Sequence, residues 1–524
     1  MDNSSIWTEE HRNQVSDFGT LVKCSKELFG PTTYLEPFES DIEPVTFNQL
    51  YDFIKNFDNY LLPLNIEEEE KIAVLLPNSS LMVLLFFSII ATKRIFVPIN
   101  PKSTPNEIDY ILNDSQAVLF FTDTNQKKKV EQLQYSVETI IIQKYSDFIN
   151  DILSQNSSNI NDKKQNDGNL GAEIIYTSGT TGEPKGVLLT HNNFLEDSFC
   201  LGKMFGFNAS NKFLTVSPLF HNSGQIITTL VPLWSGGQTT AVRSDMGMVK
   251  FWYFVDRFDI DWSLGMPAHV NFILENNIKP KKNTLKGFFC GGAKLDSRKQ
   301  TEFEERFSVP IFNNYGLTET TSIAVCDNPT SNDRVVGSVG QVIPINEIKI
   351  YKENKEVQPM EIGEIRIKGP NVFKEYINKP RITNKTLKDG WLATGDLGYH
   401  DENGFIFIKD RVDNMILVGG ENVYAADVEN IIPKLKGMKE AVLSSIPDSI
   451  LGNKLVLVYK QETNTNVDID VWKKTFAENL SSFKIPKRFI NIKELGREDI
   501  PKAPNGKMLR KNVKDLIKFK LSNN

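Results

Sequence analysis

The sequence predicts an α/β protein in several lobes: a large amino-terminal domain of mixed α/β layers (1–409) that contains a small β-rich subdomain, and a small α+β carboxy-terminal domain (410–524). Three observations carry this reading. From 45 to 121, helix-period and extended apolar runs alternate, the order that builds a largely parallel sheet. After 330 the pattern changes to short strands separated by turns, and near 410 it returns to mixed α/β. At 524 residues the chain is also too long for one ordinary core.

In chain order, Thr46 to Leu61 predicts a capped amphipathic helix, 71–76 a buried strand, 79–92 a helix and 95–99 another strand. The 81–91 run is apolar but falls short of the roughly 20 residues that cross a bilayer, and Lys93-Arg94 follow it, so it predicts a buried helix. Strands are expected at 117–121 and 139–142, then a polar linker over 154–171. Beyond 186 come a helix near 191–204 and a strand at 213–216. From Leu219 to Val242 no residue is charged, so this stretch must be buried, either as a core helix or as a helix whose end lines an uncharged ligand pocket. Residues 347–351 and 363–368 are the clearest strands of the β-rich part.

Between the linker and the 191–204 helix lies the most informative stretch, Glu173-Ile-Ile-Tyr-Thr-Ser-Gly-Thr-Thr-Gly-Glu-Pro-Lys-Gly186. A short buried strand breaks into glycines that can turn N–H groups toward an anion, hydroxyls at Thr177, Ser178, Thr180 and Thr181, and a cation at Lys185. That combination binds phosphate. It is not the P-loop of motor and switch NTPases, because no Gly-Lys pair here is followed by Ser or Thr.

Composition narrows the function. Lys and Arg total 60 against 66 Asp and Glu, a net charge of −6, which argues against a nucleic-acid-binding surface. The amino terminus lacks the positive-then-apolar order of a secretory signal, so a cytoplasmic location is expected. Cysteines 24, 200, 290 and 326 form no C-x-x-C pair and are expected in the core rather than in disulfides or a zinc site.

Five stretches together resemble the adenylate-forming superfamily of acyl-CoA synthetases, adenylation domains and firefly luciferase. They are 176–186, Asn314-Tyr-Gly-Leu-Thr-Glu-Thr320, Trp391-Leu-Ala-Thr-Gly-Asp-Leu397, Asp410-Arg411 with Gly419-Gly-Glu-Asn-Val-Tyr424, and Pro504-Asn-Gly-Lys-Met-Leu-Arg510. They stand in family order over most of the chain. The resemblance implies ATP, Mg²⁺ and coenzyme A as cofactors and co-substrates, and a two-step reaction. A carboxylate first attacks the α-phosphate of ATP to give acyl-AMP and pyrophosphate, and a thiol then displaces AMP to give a thioester.

The same resemblance implies residue roles. Thr177, Ser178, Gly179, Thr180, Thr181, Gly182 and Lys185 hold the leaving phosphates, with Thr181 counted among the catalytic groups. Glu319 is a magnesium ligand, with Thr177 beside it, since Mg²⁺ takes hard oxygen donors. Tyr315 packs on adenine, Gly291, Gly292 and Ala293 wall its other face, and Asn314, Gly316 and Thr318 belong to the same nucleotide site. Asp396 and Arg411 bind the ribose hydroxyls, and Lys507 reaches the substrate carboxylate and α-phosphate. For the second step the small domain turns about a hinge at Asp410, Gly419 and Gly420 let the pantetheine arm approach the backbone, and His221 adjoins the thiol path.

Departures from the pattern are Arg94, Asp413-Asn414, Ala425 and Asp427; none removes a catalytic group, and those at 413–427 bear on the CoA face. The sequence-level expectation is an ATP-dependent acyl-CoA synthetase for a fatty or aryl acid. The alternatives are a ligase loading the phosphopantetheine of a carrier protein, an NTPase switch, or a non-catalytic nucleotide-binding protein. Phe220-His-Asn222 lacks the Asp that resembles the ammonium anchor of amino-acid activators. The expected partners are the acid, ATP and CoA, with no nucleic acid and no transmembrane segment.

Overall fold

A computed structural model describes residues 7–155, 168–177, 184–276, 278–329, 334–353, 355–418, 421–448, 451–463, 465–502 and 508–522. Two large sheets, of nine and seven strands, are wound alike. In the seven-stranded sheet, Lys71–Leu75 lies between Ile95–Pro98 and Leu119–Asp123, and Glu138–Ile142 follows outside, all parallel. In the nine-stranded sheet, Lys212–Thr215 lies between Gln238–Ala241 and Trp262–Gly265, followed by Gly287–Cys290 and Ile311–Tyr315, again parallel. The winding therefore reverses beside Lys71–Leu75 in one sheet and beside Lys212–Thr215 in the other, and the carboxyl ends of strands at such a reversal open a crevice.

Local chemistry explains the predicted elements. The helix Phe47–Leu61 begins at Thr46, whose hydroxyl accepts from Gln49 N while the Gln49 side chain accepts from Thr46 N, a reciprocal cap. Thr190 and Asn193 make the same box at the start of His191–Phe205. The helix Ser80–Ala91 is apolar on every side because every side is covered: all residues from Ser80 to Ile90 are buried. Arg94, just after it, is also buried, and its guanidinium pairs with Asp58 and donates to Ile66 O and Thr92 O.

The β-rich part is a six-stranded antiparallel sheet that includes Glu347–Lys352, Gly363–Lys368, Trp391–His400 and Ile406–Arg411. Beyond it, a three-stranded sheet of Met438–Asp448, Gly452–Gln461 and Arg488–Asn491 carries two apolar clusters drawn wholly from residues after 410. The chain is thus an α/β protein with a large amino-terminal part and a small carboxy-terminal α+β part. No helix among the described residues is long and apolar enough to cross a membrane.

Two expectations need correction. The 219–242 stretch is largely buried but is not one helix. It runs as a loop to His221, then helical turns over Asn222–Gln225, Ile226–Leu230 (wound as a π-helix) and Val231–Ser235, and then the strand Gln238–Ala241. Gly236, at φ +74°, ends the helix in a conformation that a side chain resists. Cys24 is only partly buried, because it lies on the half-covered flank of its helix, whereas Cys200, Cys290 and Cys326 are core residues.

Candidate active site

The predicted phosphate loop is the turn of a hairpin. Strand Gly171–Thr177 runs antiparallel to Lys185–Thr190, with Thr177 directly opposite Lys185, so the two ends of the predicted loop are held side by side in a two-stranded stem. Ser178, Gly179, Thr180, Thr181 and Gly182 lie outside the described residues. The outer edge of the stem is extended by the short strand Glu375–Tyr376, Tyr376 pairing with Val187. This places the Lys185 ammonium 5.0 Å from the centre of the Tyr376 ring, within cation–π range. The Tyr376 hydroxyl donates to Glu319 Oε1 at 2.7 Å. Burial, and then the charge of Glu319, push the phenol far above its ordinary pKa, so Tyr376 stays a neutral donor.

Glu319 sits in a tight turn that leaves the strand Ile311–Tyr315. A Cβ on Gly316 would overlap the carbonyl of Ser322, so only glycine lets the two ends of the turn close. Thr321 is held at φ +60°, ψ −63°, costly for a β-branched residue. Its hydroxyl donates to Asn371 O at 2.7 Å and its N–H to Thr318 O at 3.1 Å, which pins that backbone. One carboxylate on a fixed turn, joined through Tyr376 to Lys185 of the hairpin stem, suits Mg²⁺, which takes one or two protein carboxylates and completes its shell with phosphate oxygens and water.

Four residues before Glu319 a second cluster begins. The Tyr315 hydroxyl donates to Asp396 Oδ2 at 2.6 Å, and Arg411 Nη1 donates to Asp396 Oδ1 at 2.9 Å and to Thr394 O at 3.1 Å. Asp396 and Arg411 are direct cross-strand partners in the β-rich sheet, which is why residues 15 apart in sequence meet. Burial would lower the guanidinium's pKa, but the Asp396 carboxylate outweighs it and the net shift is upward. Gly291 follows the strand beside Ile311–Tyr315, and a Cβ there would collide with the Asn314 amide. Gly292, at φ +78°, and Ala293 are exposed, Asn314 is buried, and Thr318 is partly buried in the Glu319 turn.

His221 lies at the winding reversal of the nine-stranded sheet, after Lys212–Thr215. Its N–H donates to Pro218 O at 3.1 Å, and its partly buried ring packs on Phe220 at 4.7 Å between centres. Burial lowers the imidazole to about 4, so it is uncharged at neutral pH. The loop that carries it is held by Asn78, which donates to Ser217 O at 2.8 Å and accepts from Leu219 N at 2.7 Å. Asp410 accepts from Asn414 Nδ2 and, with its other oxygen, from Ala426 N, linking the β-rich sheet to the carboxy-terminal part. Gly419, Gly420 and Lys507 lie outside the described residues.

The corresponding crevice of the seven-stranded sheet is a cavity of about 260 Å³ lined in part by Asn78, Asp123, Lys144 and Arg243. Its charged groups are matched internally: Arg243 with Asp245, Lys144 with Asp41, Asp123 with the Tyr145 hydroxyl, and Glu39 with Ser80. One residue of the site, Tyr376, and one buried behind it, Glu173, escaped the sequence reading. Tyr376 carries no local signal, since only strand pairing brings it to Lys185 and Glu319. Glu173 does carry one: it is an acid inside an apolar strand, and it is fully buried.

The model of the family described as AMP-binding enzyme matches residues 33–377, which contain the hairpin, Tyr376, Glu319 and Tyr315. The chain belongs to this family. It is similar to 2-succinylbenzoate–CoA ligase of Bacillus subtilis (strain 168), 28% identical over 91% of this chain and 94% of that protein. It is 29% identical to crotonobetaine/carnitine–CoA ligase of Escherichia coli O6:K15:H31 (strain 536 / UPEC), over 93% of this chain and 97% of that one. Among solved structures, o-succinylbenzoate CoA synthetase of Bacillus subtilis in complex with its acyl-adenylate intermediate superposes with a TM-score of 0.83 at 26% identity, covering 94% of this chain and 98% of the other. The same enzyme in complex with ATP and magnesium ion gives 0.83 at 26%, over 94% and 99%.

Proposed function

We propose that this AMP-binding enzyme is an acid–thiol ligase: it joins a carboxylic acid to ATP as acyl-AMP with release of pyrophosphate, then transfers the acyl group to coenzyme A with release of AMP. The observation that carries the reading is the convergence of Lys185, Tyr376 and Glu319 at the phosphate hairpin, four residues from the cluster of Tyr315, Asp396 and Arg411. It is supported by relatives named as CoA ligases along nearly the whole chain.

In this reading the hairpin N–H groups and Lys185 take the charge that develops on the departing pyrophosphate. Glu319, with Thr177 beside it, would hold Mg²⁺, which when bound would supply charge neutralisation at the phosphates. Tyr376 fixes the Glu319 carboxylate and shields one of its oxygens. Tyr315 lies against adenine, opposite Gly291, Gly292 and Ala293. Asp396 accepts from a ribose hydroxyl, with Arg411 paired to its other side. Lys507 neutralises the acid and α-phosphate during adenylation. Asp410 is then the pivot of a large unit (1–409) and a small one (410–524), whose rotation brings Gly419 and Gly420 to the thiol path beside His221. The acid has an uncharged alkyl or aryl body, because the 219–242 stretch that carries His221 offers no charge to complement one.

The test is a product analysis with ATP, Mg²⁺ and a panel of alkyl and aryl carboxylic acids, with and without CoA. AMP and pyrophosphate should form only with an acid present, and thioester only when CoA is added. ADP and phosphate formed regardless of acid would overturn the reading.

A further inference from the structure

Glu173 is a carboxylic acid with no exposed surface, set on the strand that leads into the phosphate hairpin. A buried carboxyl is costly unless its oxygens are paired. Both are: Oε2 accepts from Asn222 Nδ2 at 3.0 Å and Oε1 from Gln225 Nε2 at 2.7 Å. Burial pushes the carboxyl's pKa well up, and the two amides pull against that without overcoming it. Both amides belong to the short helix that starts directly after His221.

Gln225 extends the chain of contacts. Its Nε2 also donates to Leu219 O at 2.7 Å, two residues before His221, and Asn78 holds Leu219 N from the other side. Gln225 is itself fully buried, and its Oε1 has no hydrogen-bond partner. The opposite orientation of the amide would turn that oxygen onto two acceptors, the Glu173 carboxyl and the Leu219 carbonyl. The orientation seen therefore sacrifices one acceptor to keep both donors in use. The helix then passes into the π-wound segment Ile226–Leu230, whose Thr229 hydroxyl donates to Gln225 O, so Gln225 is gripped through its backbone as well.

We propose that Glu173 is a positioning residue for the thiol-transfer step: through Gln225 and Asn222 it clamps the Leu219–His221 loop to the strand that carries the phosphate hairpin. This rests on the ligase reading and on the place given there to His221. The clamp is built of uncharged amides on one side and a single carboxyl on the other, so it holds the loop without placing a cation near the path of an acyl group or thiol. Because both Glu173 oxygens are taken up by Asn222 and Gln225 on that helix, its loss should loosen the loop more than the hairpin.

The experiment separates the two half-reactions in Glu173→Gln, Glu173→Ala and Gln225→Ala. Gln at 173 keeps the volume and one acceptor but sets an N–H₂ against a neighbouring amide, so it breaks half of the clamp. Consumption of supplied acyl-AMP by CoA should slow about tenfold in Glu173→Gln, while acid-dependent pyrophosphate release stays within about threefold. The Glu173→Ala/Gln225→Ala double variant should be no slower than the worse single variant, as for two members of one network. A readout independent of activity is the His221 imidazole NMR signal, assigned by its loss in His221→Asn, which should move in Glu173→Gln. Equal slowing of both half-reactions, additive effects in the double variant, or an unmoved His221 signal would each overturn the clamp. If the unsubstituted enzyme makes no acyl-AMP, the ligase reading fails, and the His221 signal still decides whether the clamp exists.

Discussion

Tyr376 and Glu319 show how a single hydrogen bond can set the chemistry of a site. The phenol is held neutral by burial and by the carboxylate beside it, so it can only donate to Glu319 and cannot compete with it as an anion. If Glu319 holds Mg²⁺ as proposed, Glu319→Gln should lower turnover on the order of 100-fold and demand more Mg²⁺, because an acidic ligand is replaced by a neutral amide. Tyr376→Phe leaves the charge but frees the carboxylate, so its cost should be nearer tenfold and should appear mainly in the Mg²⁺ and ATP dependence. A magnesium titration of turnover checks both variants. Turnover unchanged in Glu319→Gln at every Mg²⁺ concentration would rule out the metal role.

Among the elements, the 316–322 turn is the one whose shape is most tightly over-determined. Gly316 cannot carry a side chain against Ser322 O, and Thr321 is kept at positive φ by its bond to Asn371 O. The cost of that backbone, about 1–3 kcal/mol for such a residue, is offset by the network that aims Glu319 at the hairpin. Gly316→Ala should therefore open the turn, costing several kcal/mol of stability if the rest of the turn stays put, or less if it rearranges, and in either case raising the KM for ATP about tenfold or more. Thermal melts alongside ATP kinetics distinguish the two routes. An Ala variant with wild-type stability and wild-type KM would mean that the turn does not position the site. The hairpin stem makes the complementary point, since Thr177 and Lys185 are brought face to face by strand pairing across a turn that sequence spacing alone left open.

For the whole molecule, the apolar clusters after 410 are separate from those before it, while Asp410 pairs through its strand with Leu397 and through its carboxylate with Asn414 and Ala426, and Lys409 pairs with Asp427 at 2.5 Å. Asp427, a departure from the family pattern, also pairs with Lys484 at 2.8 Å, so the shorter acid still bridges two cations. If the small unit presents different faces for the two steps, variants on those faces should separate the steps. Lys507→Ala should nearly abolish acid-dependent pyrophosphate formation, on the order of 100-fold or more, while supplied acyl-AMP and CoA still give thioester. Gly420→Leu should do the reverse, because a side chain would obstruct the thiol. Both half-reactions measured in folded variants check this, and equal loss of both in each variant would remove the alternating-face scheme.

By itself the sequence determined the α/β class and the positions of the capped and buried helices, and it marked the stretch and residues proposed here for phosphate and nucleotide. These are legible because they depend on local physics: hydrophobic period, capping hydroxyls, glycine where backbone must bend, and residue types packed into short motifs. Tertiary structure alone decided which of these residues touch. The Asp396–Arg411 contact follows from cross-strand register, and the Lys185–Tyr376–Glu319 group from an edge strand contributed by residues nearly 200 positions after the hairpin. Tyr376 had no local mark because an aromatic on a two-residue strand looks like any other until the strand finds its edge. Glu173 had a mark, a carboxyl in an apolar strand, but its meaning depended on where Asn222 and Gln225 came to lie. The uncharged 219–242 stretch announced burial, since no charge there needs solvent. Its division into loop, π-wound helix and strand was set by the sheet on one side and by the Glu173 and Asn78 hydrogen bonds on the other.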